Sequence, residues 1–247
     1  MSITKRYEPE RTAIEFHNDR DNYVIRMVRG VPASGKSVMC IQECLLWAMA
    51  QEAHEGVRRT RFVIIRASYP NLKNTTIKSW KNWFPEEIWP VRQSIPYDCR
   101  VKFSMPDGTK VDMEVIFLAV ETDDDVKKLK SLEVTGGFIN EVFEVQRSIV
   151  TTLLERTGRY PPKIDGVFEG PTRSGVWCDT NSPSEKHWYA KDEANPPEGW
   201  KFYVQPPPLI RVKDGEGVTV GWKDNPEAEN IRNLSGGYNY YRRQLSG

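Results

Sequence analysis

The chain has 247 residues, with 35 basic against 34 acidic side chains and a formal net charge of +1. That length can bury a sizeable core, either in one large domain or in a core with a small appendage. The near-neutral balance excludes a protein whose whole surface clamps nucleic acid, but leaves room for local basic patches such as a DNA motor carries. No run approaches the roughly 18 apolar residues that a membrane helix needs, and residues 1–16 lack the apolar core of a secretion signal. No membrane partner is expected. The four cysteines, Cys40, Cys44, Cys99 and Cys178, are not at zinc-site spacing and read as buried, reduced thiols. The histidines His17, His54 and His187 are scattered and suggest neither a metal centre nor a triad.

The apolar run 23–28 predicts a buried strand. Residues 30–37 follow directly and read GVPASGKS, a full match to the phosphate-binding pattern G-x-x-x-x-G-K-[ST]. Residues 38–53 then repeat apolar side chains at helical spacing. Strand, loop and helix in that order are what such a loop requires. Gly30, Val31, Pro32, Ala33, Ser34 and Gly35 form the loop, whose backbone amides make an anion nest at a helix N-terminus. Lys36 is expected to reach the β- and γ-phosphates and the Ser37 hydroxyl to hold Mg²⁺. The expected ligand is therefore a nucleoside triphosphate.

Further along, residues 61–67 predict a buried strand and residues 71–83 a mixture of helix and loop rich in lysine and tryptophan. Residues 100–105 and 110–120 alternate as a hairpin around Pro106-Asp107-Gly108. Residues 121–130 read as a charged helix or loop, 133–140 as a strand, 146–157 as a helix and 175–179 as a short strand. Residues 200–204 look like a last strand before Pro206-Pro207-Pro208 breaks regular structure. Residues 227–244 are polar with helical tendency. The alternation implies an α/β fold with a mostly parallel sheet flanked by helices.

Residues 135–141 read TGGFINE. A carboxylate at the carboxyl end of a parallel strand faces the crevice where ligands bind such sheets. Glu141 can there orient and deprotonate water for in-line attack on a γ-phosphate. Asn140 stands where an Asp usually helps hold Mg²⁺, which limits it to a part behind the metal's own ligands. The strand 175–179 delivers Thr180 and Asn181, suited to sensing the γ-phosphate; a turn cap made by Asp179 and Asn181 is the other reading. Leu234-Ser235-Gly236-Gly237 spells the signature of transport ATPases, but it follows Glu141 instead of preceding the catalytic strand, and reads as a turn after a helix. No guanine-reading [NT]-K-x-D motif occurs.

Together these stretches resemble the large terminase subunit of tailed bacteriophages, the ATP-driven DNA-packaging motor. The carrying segments are GVPASGKS, RASYPNLKNTTIKSWKNWFP, PDGTKVDMEVIFLAV, LKSLEVTGGFINEV, LLERTGRYP, DTNSPSEKHW, FYVQP and NPEAENIRNL. The resemblance covers most of the chain and only the N-terminal ATPase half of the family. It implies a P-loop NTPase of the additional-strand, catalytic-glutamate, RecA-like class, with a core over 1–210 and a lid over 211–247. The nuclease domain with which family members continue has no counterpart here, so a truncated piece of a longer protein is expected, with a naturally split gene as the alternative.

The resemblance assigns Thr180 and Asn181 to a coupling motif. It makes Lys130, Arg156 and Arg159 rival candidates for a basic residue reaching into a neighbouring subunit's site. Implied partners are ATP with Mg²⁺, double-stranded DNA, the portal protein, the small terminase subunit and other copies in a ring, all in the host cytoplasm. Arg66, Lys73, Lys78 and Lys81, near Trp80 and Trp83, are DNA-contact candidates. Tyr7, Phe16 and His17 are candidate adenine contacts. A small-molecule or nucleotide kinase, using lid arginines Arg232, Arg242 and Arg243, and a nucleotide-gated DNA-binding module with little turnover are the alternatives.

Overall fold

Apolar side chains alternate along the strands and send their neighbours to opposite faces, which calls for a sheet covered on both sides. The computed structural model describes residues 5–234 and 236–245. Helix α1 (Arg11–Asn18) leads into β1 (Ile25–Arg29), then α2 (Lys36–Ala50) and β2 (Val57–Arg66). A helical stretch follows: α3 (Tyr69–Asn71), one π-helical turn (Leu72–Thr76) and α4 (Ile77–Lys81). Next come β3 (Tyr97–Ser104), β4 (Lys110–Ala119), α5 (Asp123–Ser131), β5 (Gly136–Ile139), α6 (Arg147–Leu154) and β6 (Gly175–Thr180). The chain continues through α7 (Trp188–Ala194), β7 (Trp200–Val204), the strands β8 (Leu209–Lys213) and β9 (Thr219–Asp224), and α8 (Tyr238–Leu245).

The main sheet has the order β3-β4-β2-β5-β6-β1-β7. Every pairing in it is parallel except β3 with β4. Within β2, Phe62 and Ile64 join the core beneath α2 and α4, whereas Val63 and Ile65 join the opposite core beneath α6. Two glycines let β5 sit at the centre. A Cβ on Gly136 would stand 2.8 Å from the Gly175 carbonyl oxygen, and one on Gly137 would stand 2.7 Å from Leu153. That is too close for any larger residue without displacement.

A buried ionic knot ties α1 to the core. Glu43 on α2 is fully buried, pairs with Arg26 at 2.7 Å and accepts from the Trp47 indole at 2.5 Å. It also meets the ring of His17. Burial alone would raise the Glu43 carboxyl, but Arg26 and the His17 contacts outweigh it and hold the group below the ordinary glutamate value.

The hairpin at 100–120 appears as β3 and β4, and the last sheet strand matches residues 200–204. Two expectations need correction. The strand expected at 61–67 starts at Val57, because polar residues Arg58, Arg59 and Arg61 lengthen it in register with β4. The helix expected over 227–244 is only α8. Asn230 adopts a left-handed φ of 60°, and Gly236 and Gly237 also have positive φ, so the chain turns before it can coil. The transport-ATPase look-alike falls at that turn, with Ser235 outside the described residues. Residues 121–130, compatible in sequence with helix or loop, form α5, started by a capping box in which Thr122 and Asp125 exchange hydrogen bonds. Elements α1, α7 and the β8–β9 hairpin had no counterpart in the expected order.

Candidate functional site

The order β5-β6-β1 decides the geometry. The phosphate loop leaves the carboxyl end of β1, Glu141 leaves the carboxyl end of β5, and β6 lies between them. Register pairs Ile139 with Cys178 and Val28 with Asp179. One step further, Asn140, Asp179 and the start of the loop stand level at one edge of the sheet.

Gly35, at φ 84°, caps α2 in the left-handed region, and Ala33 shares that sign at φ 62°. The Lys36 amine folds back onto the loop and donates to the carbonyls of Gly30 at 3.0 Å and Val31 at 2.8 Å. It also donates to the side-chain oxygen of Asn181 at 3.2 Å. Burial lowers the Lys36 pKa, and the Asp179 and Glu141 carboxylates oppose that shift. The loop is braced from the C-terminal side. The Gln205 amide donates to the Ser34 carbonyl at 3.2 Å, the Asn230 amide to the same oxygen at 2.7 Å, and the Tyr241 hydroxyl to the Pro32 carbonyl at 3.1 Å.

Glu141 holds a left-handed backbone, φ 55° and ψ 59°, rare for a residue with a side chain and found most at functional sites. Its carboxylate accepts from the Asn181 backbone at 3.2 Å and from the Asn181 side chain at 3.4 Å. Asn181 therefore touches the loop lysine with its amide oxygen and Glu141 with its amide nitrogen. Burial, and then the neighbouring Asp179 carboxylate, raise the Glu141 pKa above the ordinary glutamate value. A carboxylate so placed is a stronger proton acceptor than one in water. Thr180 is buried and bonds locally, to the Asn181 carbonyl at 2.9 Å.

Asn140 is buried, and its orientation is fixed by chemistry. Its oxygen accepts from Arg66 at 2.8 Å and from Thr76 at 2.6 Å, while its nitrogen faces Asp179 at 2.8 and 3.1 Å and Ser37 at 3.3 Å. A guanidinium cannot accept and a carboxylate cannot donate, so no flipped assignment satisfies both sides. Asn140 thus turns a donor, not a ligand oxygen, toward Ser37. Ser37 in turn donates to Asp179 at 2.5 Å. Among the described residues, no cluster of three or more His, Cys, Asp or Glu side chains could hold a metal on its own. The oxygen set of Ser37 and Asp179 nevertheless suits Mg²⁺, which typically takes one or two protein oxygens together with substrate phosphates.

Arg66 needs a correction. It is buried, with its guanidinium 2.9 Å from Glu144 as well as bonded to Asn140, so it braces the site and is no surface contact for DNA. Lys73, Lys78 and Lys81 do share one face, lining a small hollow of about 150 Å³ with Tyr97 and Gln93. Trp80 is fully buried and stacks on Phe84 at 4.0 Å. Lys130, Arg156 and Arg159 gather elsewhere. Arg156 donates to the Lys130 carbonyl at 3.1 Å, and Arg156 and Arg159 bond the backbone of Val134, ahead of β5. At the rise of a strand, the backbone of Arg156 and Arg159 lies roughly 20 Å from Glu141 of the same chain, whereas Lys130 lines a hollow with Glu144 and Gln146. Of the adenine candidates, Phe16 and His17 are core residues, while Tyr7 lines a cavity of about 520 Å³ beside Gly35, Met39, Trp83 and Asn230.

Missed by the sequence reading were the roles of Asp179 and Thr76. Counting the 175–179 strand as the parallel neighbour of 136–139 would have brought Asp179 level with Asn140. Nothing in the sequence marks the π turn that points Thr76 inward.

With this geometry in view, solved structures supply a comparison. A large terminase from a thermophilic bacteriophage superposes with a TM-score of 0.58 at 13% identity, over 80% of this chain and 46% of that one. This is the fold of the bacteriophage large terminases. The same thermophilic-phage terminase in complex with ADP gives 0.56 at 13% identity, over 78% of this chain and 44% of that one. The HK97 bacteriophage large terminase gives 0.54 at 13% identity, covering 99% of this chain and 49% of the other. The chain thus spans less than half the length of each terminase. No known family model matches the sequence, and neither does any curated protein. No helix among the described residues is long and apolar enough to cross a membrane.

Proposed function

We propose that this chain is the ATPase of a terminase-type DNA-packaging motor, hydrolysing Mg-ATP to drive double-stranded DNA into a procapsid. The observation that carries the reading is the bridge made by Asn181 between Lys36 of the phosphate loop and Glu141. Lys36 and Glu141 converge on one side-chain amide, which supports their acting on one bound triphosphate. The terminase fold, seen in the thermophilic-phage protein with ADP and with ATP-gamma-S, supports the same reading.

The loop amides and the α2 N-terminus bind the phosphates, and Lys36 turns from the loop carbonyls to the β- and γ-oxygens. Glu141 takes a proton from water aligned with the γ-phosphorus. Mg²⁺, which Ser37 beside Asp179 would hold together with the phosphates, would neutralise phosphate charge. Asn181, losing or gaining its contacts as the γ-phosphate leaves, passes the change to β6 and the residues beyond it. A basic residue of a neighbouring copy, drawn from Lys130, Arg156 and Arg159, stabilises the developing charge. That role suits the distance of Arg156 and Arg159 from their own site and requires assembly as a ring, on a portal and with a small subunit. Lys73, Lys78 and Lys81 contact DNA phosphates.

The test is product analysis on the purified chain. Mg-dependent release of inorganic phosphate from ATP, stimulated on assembly with portal and DNA, is expected. A phosphorylated acceptor in place of free phosphate would indicate a kinase, and ATP binding without release a nucleotide-gated module.

A further inference from the structure

The end of β5 presents a puzzle of charge. The side chain beside the loop serine is an amide, and the amide shows its NH₂ end. Asn140 is locked in that sense by Arg66 and Thr76, both donating to its oxygen. It can supply neither charge nor a lone pair to a cation at Ser37.

One strand over, Asp179 supplies both. Its side chain is completely buried, the penultimate residue of β6. It accepts from the Ser37 hydroxyl at 2.5 Å, from the Asn140 amide at 2.8 and 3.1 Å and from the Glu141 backbone at 2.8 Å. Among the described residues no arginine or lysine nitrogen lies within 4.0 Å of it in an ion pair, and the nearby Lys36 is spent on the loop carbonyls, Ser34 and Asn181. A buried carboxylate held only by neutral donors is costly unless a cation shares its surroundings for part of its working life. Its donors are also arranged with purpose. Because the Ser37 proton goes to Asp179 and the Asn140 amide donates to the same oxygen at 3.3 Å, one serine lone pair is left over for a cation.

We infer that Asp179 replaces the missing acidic residue at Asn140: it orients the Ser37 hydroxyl as a magnesium ligand and balances the cation's charge from the neighbouring strand. The inference rests on the ATPase reading and adds to it a positioning role for Asp179. Asn140 then becomes the residue that positions Asp179, clamping both carboxylate oxygens, and Arg66 with Thr76 fixes Asn140. The relay runs across β2, β5 and β6 to the first turn of α2.

The test is equilibrium binding of a fluorescent ATP analogue to the whole chain, with excess Mg²⁺ and with a chelator. The readout is the ratio of the two affinities, which a purely structural role would not move. Wild-type protein is expected to bind more tightly with Mg²⁺. Asp179→Asn should bind the metal-free analogue at least as well, because a negative charge facing the triphosphate is gone, while its Mg²⁺ enhancement falls about tenfold. The double variant Asn140→Asp with Asp179→Asn returns one carboxylate to the pair, 3.3 Å from Ser37 if it takes the place of the present amide nitrogen, and should recover most of the enhancement. An unchanged Mg²⁺ ratio in folded Asp179→Asn overturns the inference and leaves the ATPase reading intact. If circular dichroism shows that Asp179→Asn does not fold, the double variant decides: a folded protein without Mg²⁺ enhancement overturns the inference, and recovery supports it. Wild-type protein that binds the analogue in neither buffer overturns the ATPase reading and this inference together.

Discussion

Asn181 holds Glu141 twice, through its backbone amide at 3.2 Å and its side-chain amide at 3.4 Å. The second contact is the one a mutation can remove. Asn181→Ala keeps the backbone donor and leaves the strand pairing of β6 untouched. We expect its melting temperature to fall by about 4–8 °C at most, because the two part-buried side-chain hydrogen bonds it gives up, to Lys36 and Glu141, contribute on the order of 1 kcal/mol each. Phosphate release should fall about tenfold, the rate equivalent of one such bond lost from the orientation of the base. Steady-state hydrolysis beside a thermal melt checks both halves.

The Glu43 knot predicts an acid limb of stability. The folded-state pKa of Glu43 lies below its ordinary value, held there by Arg26 and His17 against the effect of burial. The knot therefore contributes fully above the ordinary glutamate value and is lost as pH falls through the lowered folded one. Wild-type melting temperature should drop through that acidic window. Glu43→Gln should be less stable near neutrality by about 3–5 kcal/mol, since it strands the buried Arg26, and should show a shallower acid slope. Melting curves from neutral pH to acid compare the two.

The lysine face is separable from the ATP site. Lys73, Lys78 and Lys81 line a hollow together and touch none of the loop residues, Glu141 or Asp179. Lys73→Ala and Lys78→Ala should each weaken DNA binding without sequence preference. Each should also lower the slope of log affinity against log salt by about 0.9, while leaving nucleotide affinity unchanged. Arg66→Ala should do the reverse, impairing nucleotide turnover by freeing Asn140. Binding titrations at several salt concentrations, with and without nucleotide, make the comparison.

Gly137 gives a test of the sheet itself. A methyl group there would meet Leu153 at 2.7 Å, in the core between β5 and α6. Gly137→Ala should therefore cost about 1–3 kcal/mol through overpacking, read as a lower denaturant midpoint with an unchanged slope.

The parts of the site that lie contiguous in the chain were legible in the sequence. GVPASGKS announces its own loop, and the apolar run of TGGFINE announces a strand end with a carboxylate. Contacts made across strands were not legible, because they depend on register, which no single segment records. Asp179 read as a cap since only the pairing of β5 with β6 brings it beside Asn140 and Ser37. Arg66 read as a surface cation because buried guanidinium and exposed guanidinium look alike until Glu144 and Asn140 are seen around it. The β8–β9 hairpin lacked a signal because its side chains are mostly exposed and bury little apolar surface. The helical tendency read over 227–244 survives only in α8, because polarity and tyrosine spacing say nothing of the left-handed turn at Asn230.

The central claim, that Glu141 is the base acting on a triphosphate held by the loop at Lys36, is tested most directly by Glu141→Gln. The substitution preserves size and hydrogen bonding and removes only the capacity to take a proton. With radiolabelled Mg-ATP, the variant should bind nucleotide with wild-type affinity and release phosphate about 10²–10⁴ times more slowly. Wild-type phosphate release from Glu141→Gln would contradict the account.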